Sequence, residues 1–374
     1  MTLQKSIIAT AITLSAFNAY SASFQLNETS ASGLGRAFAG DAVIADDAAV
    51  LAVNDTFAYG LAINSNYGLK SEYEKDYAAG SIGGKTDLKT INANISGSYR
   101  VNEQLSLGLG LNVVYGEAEL IRHAGKVLEN GITIPGVGLV FPPVPTSTEV
   151  VNMSGDDFGY GWNVGAVYEI NSDHRIGLSY RSKVELAFEG DFTGLGTPTE
   201  DGSLTIDMPS IAEFSGFHQL TTQWAAHYSV MFTQWSSFEK LEAYAGNELA
   251  FEKQENFEDT YRFALGATYN LNQEVTLRMG VAFDQSAAVD HRSISIPDSD
   301  RLWYSAGATY QLNDTDSVDF GISYVNGDNV VVTEEDALLA ALPDALSPFV
   351  GNKDWGFSSE GNALLLAVQY NKSF

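Results

Sequence analysis

Hydrophobic and polar residues alternate along much of this chain, in segments of about ten residues that are separated by turn residues. Every second position of residues 105–115 is apolar, and the positions between are small or polar. The same pattern recurs in residues 158–168, 275–283 and 318–324. Because neighbouring side chains of a strand point to opposite faces, each segment predicts a β-strand with one apolar face.

The connections between these segments alternate in length. Short turns, such as residues 171–174 and 313–316, alternate with longer polar loops, such as residues 70–87 and 124–156. From Phe57 to the end of the chain there are about twelve segments. Short turns on one side and long loops on the other are typical of outer-membrane β-barrels.

A soluble β-sandwich also alternates and is the alternative fold. The inward face, however, is rich in Gly, Ser, Asn, Arg and Asp, and aromatic residues recur near strand ends, as they do at membrane interfaces. The chain also finishes on an aromatic strand that includes Tyr370 and Phe374 and resembles the signal read by the barrel-assembly machinery. The pattern therefore predicts an all-β fold, a transmembrane antiparallel β-barrel in a bacterial outer membrane.

The N-terminus predicts export through a signal peptide, residues 1–22. Lys5 supplies a positive charge, residues 6–17 form a short apolar core, and Ala19, Ser21 and Ala22 offer cleavage sites. A buried N-terminal helix is the alternative, but the segment has no capping or amphipathic pattern.

Residues 23–53 do not alternate and are rich in Gly, Ala, Ser and Asp. This segment is too short for a core of its own, so it is either a periplasmic tail or a plug inside the lumen. The barrel itself is expected to span residues 54–374.

Charge and cysteine content narrow the function. Acidic residues outnumber basic ones 47 to 20, which gives a net charge of −27, and there is no cysteine. Nucleic acid is therefore excluded as a partner, and no disulfide holds the fold. An anionic substrate would need a local cation.

Several motifs resemble the long-chain fatty acid outer-membrane transporters, the FadL family. Residues 24–28, 32–37 and 44–48 resemble the family's N-terminal hatch, and other stretches follow in family order at 65–69, 83–88, 159–163, 180–182, 223–225, 261–266 and 292–298. The resemblance implies a monomeric, plugged barrel that takes up long-chain fatty acids and other hydrophobic small molecules passively. It also implies release through an opening in the wall towards outer-membrane lipid, with no cofactor and no enzymatic step.

The chain departs from the family plan after the hatch. The Asn-Pro-Ala motif that closes the family's hatch and the two strands that follow it are absent, since residues 48–52 run directly into the turn before Phe57. A fourteen-strand plan would then leave about twelve strands, with the Phe57 strand paired directly with the terminal strand. A natural variant, an internal deletion that impairs transport and a flawed gene model all stay open.

Two cations are candidates for binding a carboxylate. Arg122 is in phase with the inward face of the Leu105 strand and matches a carboxylate-pairing arginine of the family; a solvated loop arginine is the alternative. Lys253 matches the family's second cation, but alternation from Tyr261 points it outwards unless regular pairing ends between Gln254 and Thr260. The other predicted substrate contacts are apolar: Phe24, Val140 and Phe141.

Asn66, Tyr67 and Gly68 match the family's inward kink beside the lateral opening, where Gly68 is expected to supply unusual dihedral angles. Further polar residues face inwards by phase, either as a lattice that joins plug and wall or as a substrate relay: Arg181, His227, Arg262, Arg278, Asp284 and Asp319. The five histidines show no metal spacing and no catalytic triad is defensible. A general porin, a surface receptor for phage or adhesin, and an outer-membrane lipase or protease are the rival functions.

Overall fold

The computed structural model describes residues 25–26, 30–44, 57–136, 138–289, 292–340 and 354–373, together with the backbone of residues 7–16. Most of these residues lie in antiparallel strands. None of the helices in the described ranges is long and apolar enough to cross a membrane.

The strands are β1 Ile7–Ala16, β2 Phe57–Asn64, β3 Gly68–Glu72, β4 Lys85–Arg100, β5 Leu105–His123, β6 Ile132–Ile134, β7 Gly138–Phe141, β8 Glu149–Glu169, β9 His174–Arg181, β10 Val184–Gly194, β11 Glu200–Met208, β12 Ile211–Gln219, β13 Trp224–Thr233, β14 Lys240–Ala245, β15 Glu248–Gln254, β16 Thr260–Asn270, β17 Val275–Asp284, β18 Arg301–Gln311, β19 Asp316–Gly327, β20 Val330–Glu335, β21 Asp354–Ser359 and β22 Asn362–Ser373. The helices are short: α1 Ala31–Leu34, α2 Ala337–Ala340 and the 3₁₀ turns Gly125–Val127 and Trp235–Ser237.

One antiparallel sheet forms the wall. Its strand order is β2 and β3, then β4, β5, β8, β9, β12, β13, β16, β17, β18, β19 and β22. Both β2 and β3 lie along the same edge of β4, so they are two halves of one interrupted strand. The antiparallel all-β fold predicted from the alternation is confirmed.

The terminal strand has a different neighbour from the one predicted. β22 pairs with β19 on one side and with β1 on the other, whereas β2 pairs with β4. The expectation that the Phe57 strand pairs directly with the terminal strand is therefore wrong for this uncleaved chain, because residues 7–16 occupy that edge. Cleavage of residues 1–22 as a signal peptide stays a prediction.

Outward-facing side chains mark where the wall meets lipid. Leu109, Leu111 and Tyr160 are exposed apolar residues in this belt. At its upper limit the rings of Tyr115 and Phe158 lie 4.9 Å apart, centroid to centroid. Beyond them the outward positions turn acidic, and the strands continue on the side of the long loops, which is the extracellular side of such barrels.

Extracellular hairpins extend the wall. β10 pairs with the upper part of β8 and leads through β11 to β14 and β15, while β20 and β21 form a separate two-stranded sheet. The third such element is the small pair β6 and β7. These elements lie above the lipid belt and cover the upper end of the lumen.

Residues 30–44, hereafter the hatch segment, fill the lower lumen. Ser30 caps α1 by accepting a hydrogen bond from the Gly33 amide at 3.0 Å. Side chains of the wall bind the hatch backbone: Gln369 Oε1 accepts from Ala31 N at 3.1 Å, and Ser229 Oγ accepts from Gly40 N at 2.8 Å. The hatch segment therefore lies inside the barrel, as a plug does.

The upper lumen is apolar. A continuous cluster of buried side chains from the wall and the extracellular hairpins fills it: Leu88, Val114, Leu120, Met153, Val184, Leu186, Phe188, Leu204, Ile206, Met208, Trp235, Phe238, Leu241 and Phe257. The interior thus has a polar, glycine-rich lower level that holds the hatch segment and a hydrophobic upper level.

Candidate functional site

Arg122 lies near the upper end of β5, beyond the lipid belt, with only 2% of its surface exposed. Its Nη1 donates to the Lys85 and Ile121 carbonyl oxygens at 3.0 and 2.9 Å, and its Nη2 donates to Thr86 Oγ1 at 3.1 Å and Ser295 Oγ at 2.8 Å. Every one of these acceptors is uncharged. Burial lowers the pKa of Arg122 to about 10, which leaves it cationic at neutral pH.

Lys253 lies on β15, which pairs with β14 in an extracellular hairpin and is not part of the wall. Regular pairing ends at Gln254 and resumes at Thr260, so the alternation of the Tyr261 strand does not extend back to Lys253. Lys253 consequently faces inwards, and its Nζ donates to Ser293 Oγ.

Two carboxylates accompany the cations. Lys253 Nζ lies 2.6 Å from Glu334 Oε1 and 3.7 Å from Glu255 Oε1. Glu255 is completely buried, and no described residue forms a hydrogen bond to either of its carboxyl oxygens. Burial raises the pKa of Glu255 to about 7, with the negative charge of Glu334 adding to that shift and Lys253 opposing it.

The cation pair adjoins the apolar upper lumen. Thr86, which binds Arg122, and Leu241, which is opposite Lys253 in the β14–β15 register, both line a narrow cavity. Most of its other lining side chains are apolar, among them Leu88, Leu120, Met153, Phe188, Leu204, Ile206 and Phe251, and the acidic Asp87 and Glu119 line it as well. The two cations therefore lie next to residues of a largely apolar cavity, and this arrangement suits an amphiphilic anion.

This cavity is almost closed in the structure. Its volume is about 40 Å³, whereas pockets that hold a small-molecule ligand measure roughly 300–1,000 Å³. A long alkyl chain therefore enters only if the surrounding side chains and the covering hairpins move.

Asn66, Tyr67 and Gly68 lie at an interruption of the wall. Asn64 is paired with Asn92 and Gly68 with Lys89, so three residues of this strand stand opposite two of β4, which is a β-bulge. Thr90 holds the bulge by donating its hydroxyl to the Tyr67 carbonyl at 2.7 Å. The Tyr67 hydroxyl donates to the Pro209 carbonyl across the lumen at 2.9 Å.

The expectation for Gly68 is wrong, because it lies in β3 and is not among the glycines with a positive φ. Its small size serves packing instead, since a Cβ there would lie 3.2 Å from Leu26 Cδ1. The chain just before the hatch segment reaches the bulge at this point: Leu26 N donates to the Asn66 carbonyl at 2.8 Å.

The inward polar residues form contacts between wall strands and with the hatch segment. Arg262 Nη2 donates to the Ala37 carbonyl at 3.1 Å, and His227 Nε2 lies 2.9 Å from Thr268 Oγ1. Two ion pairs join wall strands: Arg278 lies 3.9 Å from Asp319, and Asp284 lies 3.5 Å from Arg301.

Arg181 differs from the other predicted lattice residues, because the described part of the chain gives it no ion pair within 4.0 Å. It lines a cavity of about 260 Å³ between the hatch segment and the wall, together with Glu213 and Asp41. Asn66 of the bulge lines the same cavity.

Comparison with known proteins identifies the family. The family described as outer membrane protein transport protein (OMPP1/FadL/TodX) matches residues 12–54 and 48–374. The chain belongs to this family. It is thus an outer-membrane protein of a transport family rather than of an enzyme family, and its predicted location in the outer membrane is confirmed.

Individual members agree with that assignment. The long-chain fatty acid transport protein of Escherichia coli O6:H1 is 36% identical over 463 residues, which cover 99% of this chain and 98% of that protein. A Pseudomonas aeruginosa FadL homologue has a similar fold, with a TM-score of 0.81, 19% identity and coverage of 94% and 99% of the two chains. The toluene transporter TbuX of Ralstonia pickettii has a TM-score of 0.59 at 18% identity, with coverage of 86% and 79%.

Of the three predicted apolar contacts of this OMPP1/FadL/TodX chain, Phe141 is described with its side chain, and it is not brought to the cation pair. Phe24 and the side chain of Val140 lie outside the described residues. Phe141 packs against Leu128 and Ile132 in a separate cluster within the loop that links β5 to β8.

Sequence reasoning missed the carboxylates of the site. Glu255 follows Lys253 by two residues and could have been proposed from that spacing alone. Glu334 comes from β20 and Ser295 from the segment between β17 and β18, and no local pattern marks them as neighbours of Lys253 and Arg122.

Proposed function

We propose that this chain carries long-chain fatty acids, and other hydrophobic small molecules, across the outer membrane by passive binding and diffusion through a plugged barrel. The observation that supports this function best is the juxtaposition of two cations, the buried Arg122 and the half-buried Lys253, with the apolar upper lumen. The Escherichia coli relative is a long-chain fatty acid transport protein and TbuX is a toluene transporter, and both functions agree with the proposal.

The tail supplies most of the binding energy. Each methylene removed from water contributes ~0.8 kcal/mol, so a chain of about sixteen carbons offers on the order of 10 kcal/mol before ordering costs. A carboxylate buried without partners would cancel much of that gain. Arg122 and Lys253 provide charged donors at the edge of the apolar region and so stabilise the carboxylate.

The proposed exit is the bulge at Asn66, Tyr67 and Gly68. The cavity between the hatch segment and the wall reaches Asn66 and is lined by both polar and apolar residues. A substrate that leaves the upper lumen would pass through this cavity into outer-membrane lipid. The polar side chains of the lumen form a lattice rather than a substrate relay: ion pairs join wall residues to each other, and Arg262 donates to the hatch carbonyl of Ala37.

We also propose that the chain lacks the family's hatch-closing motif and first two strands. The two matched segments of the family meet at residues 48–54, and the alignment with the Escherichia coli relative spans 463 positions although this chain has only 374 residues. Both facts support the loss of an internal segment of the family's sequence between the hatch, residues 23–53, and the barrel, residues 54–374. The protein is further proposed to be a monomer that the barrel-assembly machinery inserts.

Uptake of radiolabelled oleate by cells without their own transporter tests the function. The intact chain should restore uptake, and Arg122→Ala should abolish most of it at equal surface expression. Lys89→Ala, which removes an exposed lysine of β4, is the matched control and should leave uptake unchanged. A heat-modifiable, folded chain that takes up no oleate would contradict the proposal and favour a transport-defective deletion variant.

A further inference from the structure

Glu334 is the direct counter-ion of Lys253. Its Oε1 lies 2.6 Å from Lys253 Nζ, and its Oε2 accepts a hydrogen bond from the Ile294 amide at 2.9 Å. Both carboxylate oxygens are therefore engaged, by the same kinds of donor that a bound carboxylate would use.

Glu334 belongs to a set of elements that lies over the site. We define the cap as the paired strands β20 and β21, residues 73–84 and residues 292–296. Ile294 packs against Ala79, Ile82 and the β21 residues Trp355 and Phe357. The cap thus joins three extracellular segments through one small apolar cluster.

Polar contacts fasten the cap to the site beneath it. Ser295 Oγ accepts from Arg122 and donates to the Ile82 carbonyl at 2.7 Å. Asp336, at the end of β20, accepts from Ser81 Oγ and from Trp355 Nε1 at 2.8 Å. These contacts leave Arg122 2% exposed, so a substrate reaches it only after the cap has moved.

The charges of the site do not favour an additional anion. Lys253 already has Glu334 as its counter-ion, and Glu255 lies beside it and becomes charged as the pH rises through about 7, so a further carboxylate would make three acidic groups beside Arg122 and Lys253. Like charges buried close together repel strongly. A carboxylate is accepted more readily if it replaces an acidic group than if it is added to the set.

We propose that Glu334 is a resident carboxylate that occupies Lys253 in the empty transporter, and that the substrate's carboxylate displaces it and so releases the cap. This inference rests on the proposed function, because it assumes that Arg122 and Lys253 bind the substrate's carboxylate. Glu334 is then a specificity residue: an acid can replace it on Lys253, whereas an uncharged molecule of the same length cannot.

Ligand binding to the purified full chain in a non-ionic detergent tests the displacement. Glu334→Gln keeps the side chain's shape and removes the competing charge, so it should tighten the binding of lauric acid about tenfold. The binding of dodecanol should tighten by clearly less. Glu335→Gln, which removes an exposed charge at the next position of β20, should change neither. Weaker binding of the acid, or an equal gain for both ligands, would overturn the proposal.

Release of the cap has its own readout, because the chain contains no cysteine. Ile294→Cys places a thiol at a position that is 5% exposed within the cap. Laurate should speed the labelling of this thiol by a maleimide, and Glu334→Gln should raise the rate without any ligand. Labelling that laurate leaves unchanged would refute the release of the cap.

A failure of the proposed transport function would give a different experimental result from a failure of the displacement. If Arg122→Ala and Lys253→Ala bind laurate as tightly as the unaltered chain, the cation pair is not the carboxylate site and the proposed function is wrong. If those variants lose affinity while Glu334→Gln does not gain it, only the displacement by substrate is wrong.

Discussion

Gly280 faces the backbone of Arg36 so closely that a Cβ built on the glycine would lie 2.3 Å from the Arg36 carbonyl carbon. Two further glycines of the wall lie equally close to the hatch segment. A Cβ at Gly307 would lie 2.7 Å from Gly35 Cα, and one at Gly321 would lie 2.5 Å from the Ala31 carbonyl oxygen. A row of glycines across β17, β18 and β19 therefore gives the hatch segment the space that it occupies.

Gly280→Ala should loosen the plug, because the clash is with hatch backbone rather than with a side chain that can turn away. We expect single-channel conductance in planar bilayers to rise, together with proteolytic cleavage of the hatch segment. Gly108→Ala is the matched control, since a Cβ there would approach no atom closer than 3.8 Å. Equal conductance of both variants would show that the glycine row does not hold the plug.

Arg122 and Lys253 should bind the same carboxylate of the ligand. Both side chains already contact one segment, residues 293–295, through its serines. Each single change, Arg122→Gln or Lys253→Gln, should weaken laurate binding by about tenfold or more. The two effects should not add, since both cations bind one carboxylate. A double-mutant cycle with laurate, repeated with dodecanol, measures this coupling. Strict additivity with the acid would contradict a shared carboxylate.

Glu255 lies outside the lipid belt, and burial raises its pKa to about 7 from the ordinary value of 4.5. Its carboxyl therefore becomes charged only as the pH rises through about 7, and it then opposes a second anion beside Lys253. A permanently anionic ligand, dodecyl sulfate, should bind several-fold more tightly at about pH 6 than at about pH 8. Isothermal titration at the two pH values measures the difference.

Glu255→Gln is the control for that pH effect, and it should bind dodecyl sulfate equally at both values. The same shift predicts that this group lowers the folding stability as the pH rises from about 4.5 to about 7, because the folded state holds the proton more tightly than the unfolded state does. A pH dependence that persists in Glu255→Gln would assign the effect to another group.

The wall could be predicted from sequence because alternation reports a local property: Leu109 and Leu111 face lipid wherever the rest of the barrel lies. Arg122 could be placed inwards for the same reason, since β5 continues unbroken from the belt to His123. Lys253 could not, because its strand leaves the wall and pairs in a separate hairpin. Glu334 could not either, because only the folded cap brings β20 to Lys253.

A substitution at Thr90 tests whether the substrate leaves the barrel through the bulge at Asn66, Tyr67 and Gly68. Its hydroxyl donates to the Tyr67 carbonyl, which also accepts from Ser65 Oγ at 3.2 Å, and it accepts from the Tyr67 amide at 3.3 Å, so Thr90 contacts both backbone polar groups of Tyr67. Thr90→Val keeps the shape and removes the hydroxyl. Leaving buried backbone groups poorly paired costs about 1–3 kcal/mol, so the bulge should open more readily while the remaining wall stays intact.

The measurement is the rate at which a fluorescent fatty acid passes from preloaded protein into lipid vesicles. Thr90→Val should change this rate several-fold without changing equilibrium binding to the Arg122 site, which lies beyond the lipid belt. Thr90→Ser keeps the hydroxyl and should behave as the unaltered chain does. If Thr90→Val releases the fatty acid at the unaltered rate although its stability has fallen, the bulge is a structural irregularity of the wall and the substrate leaves elsewhere.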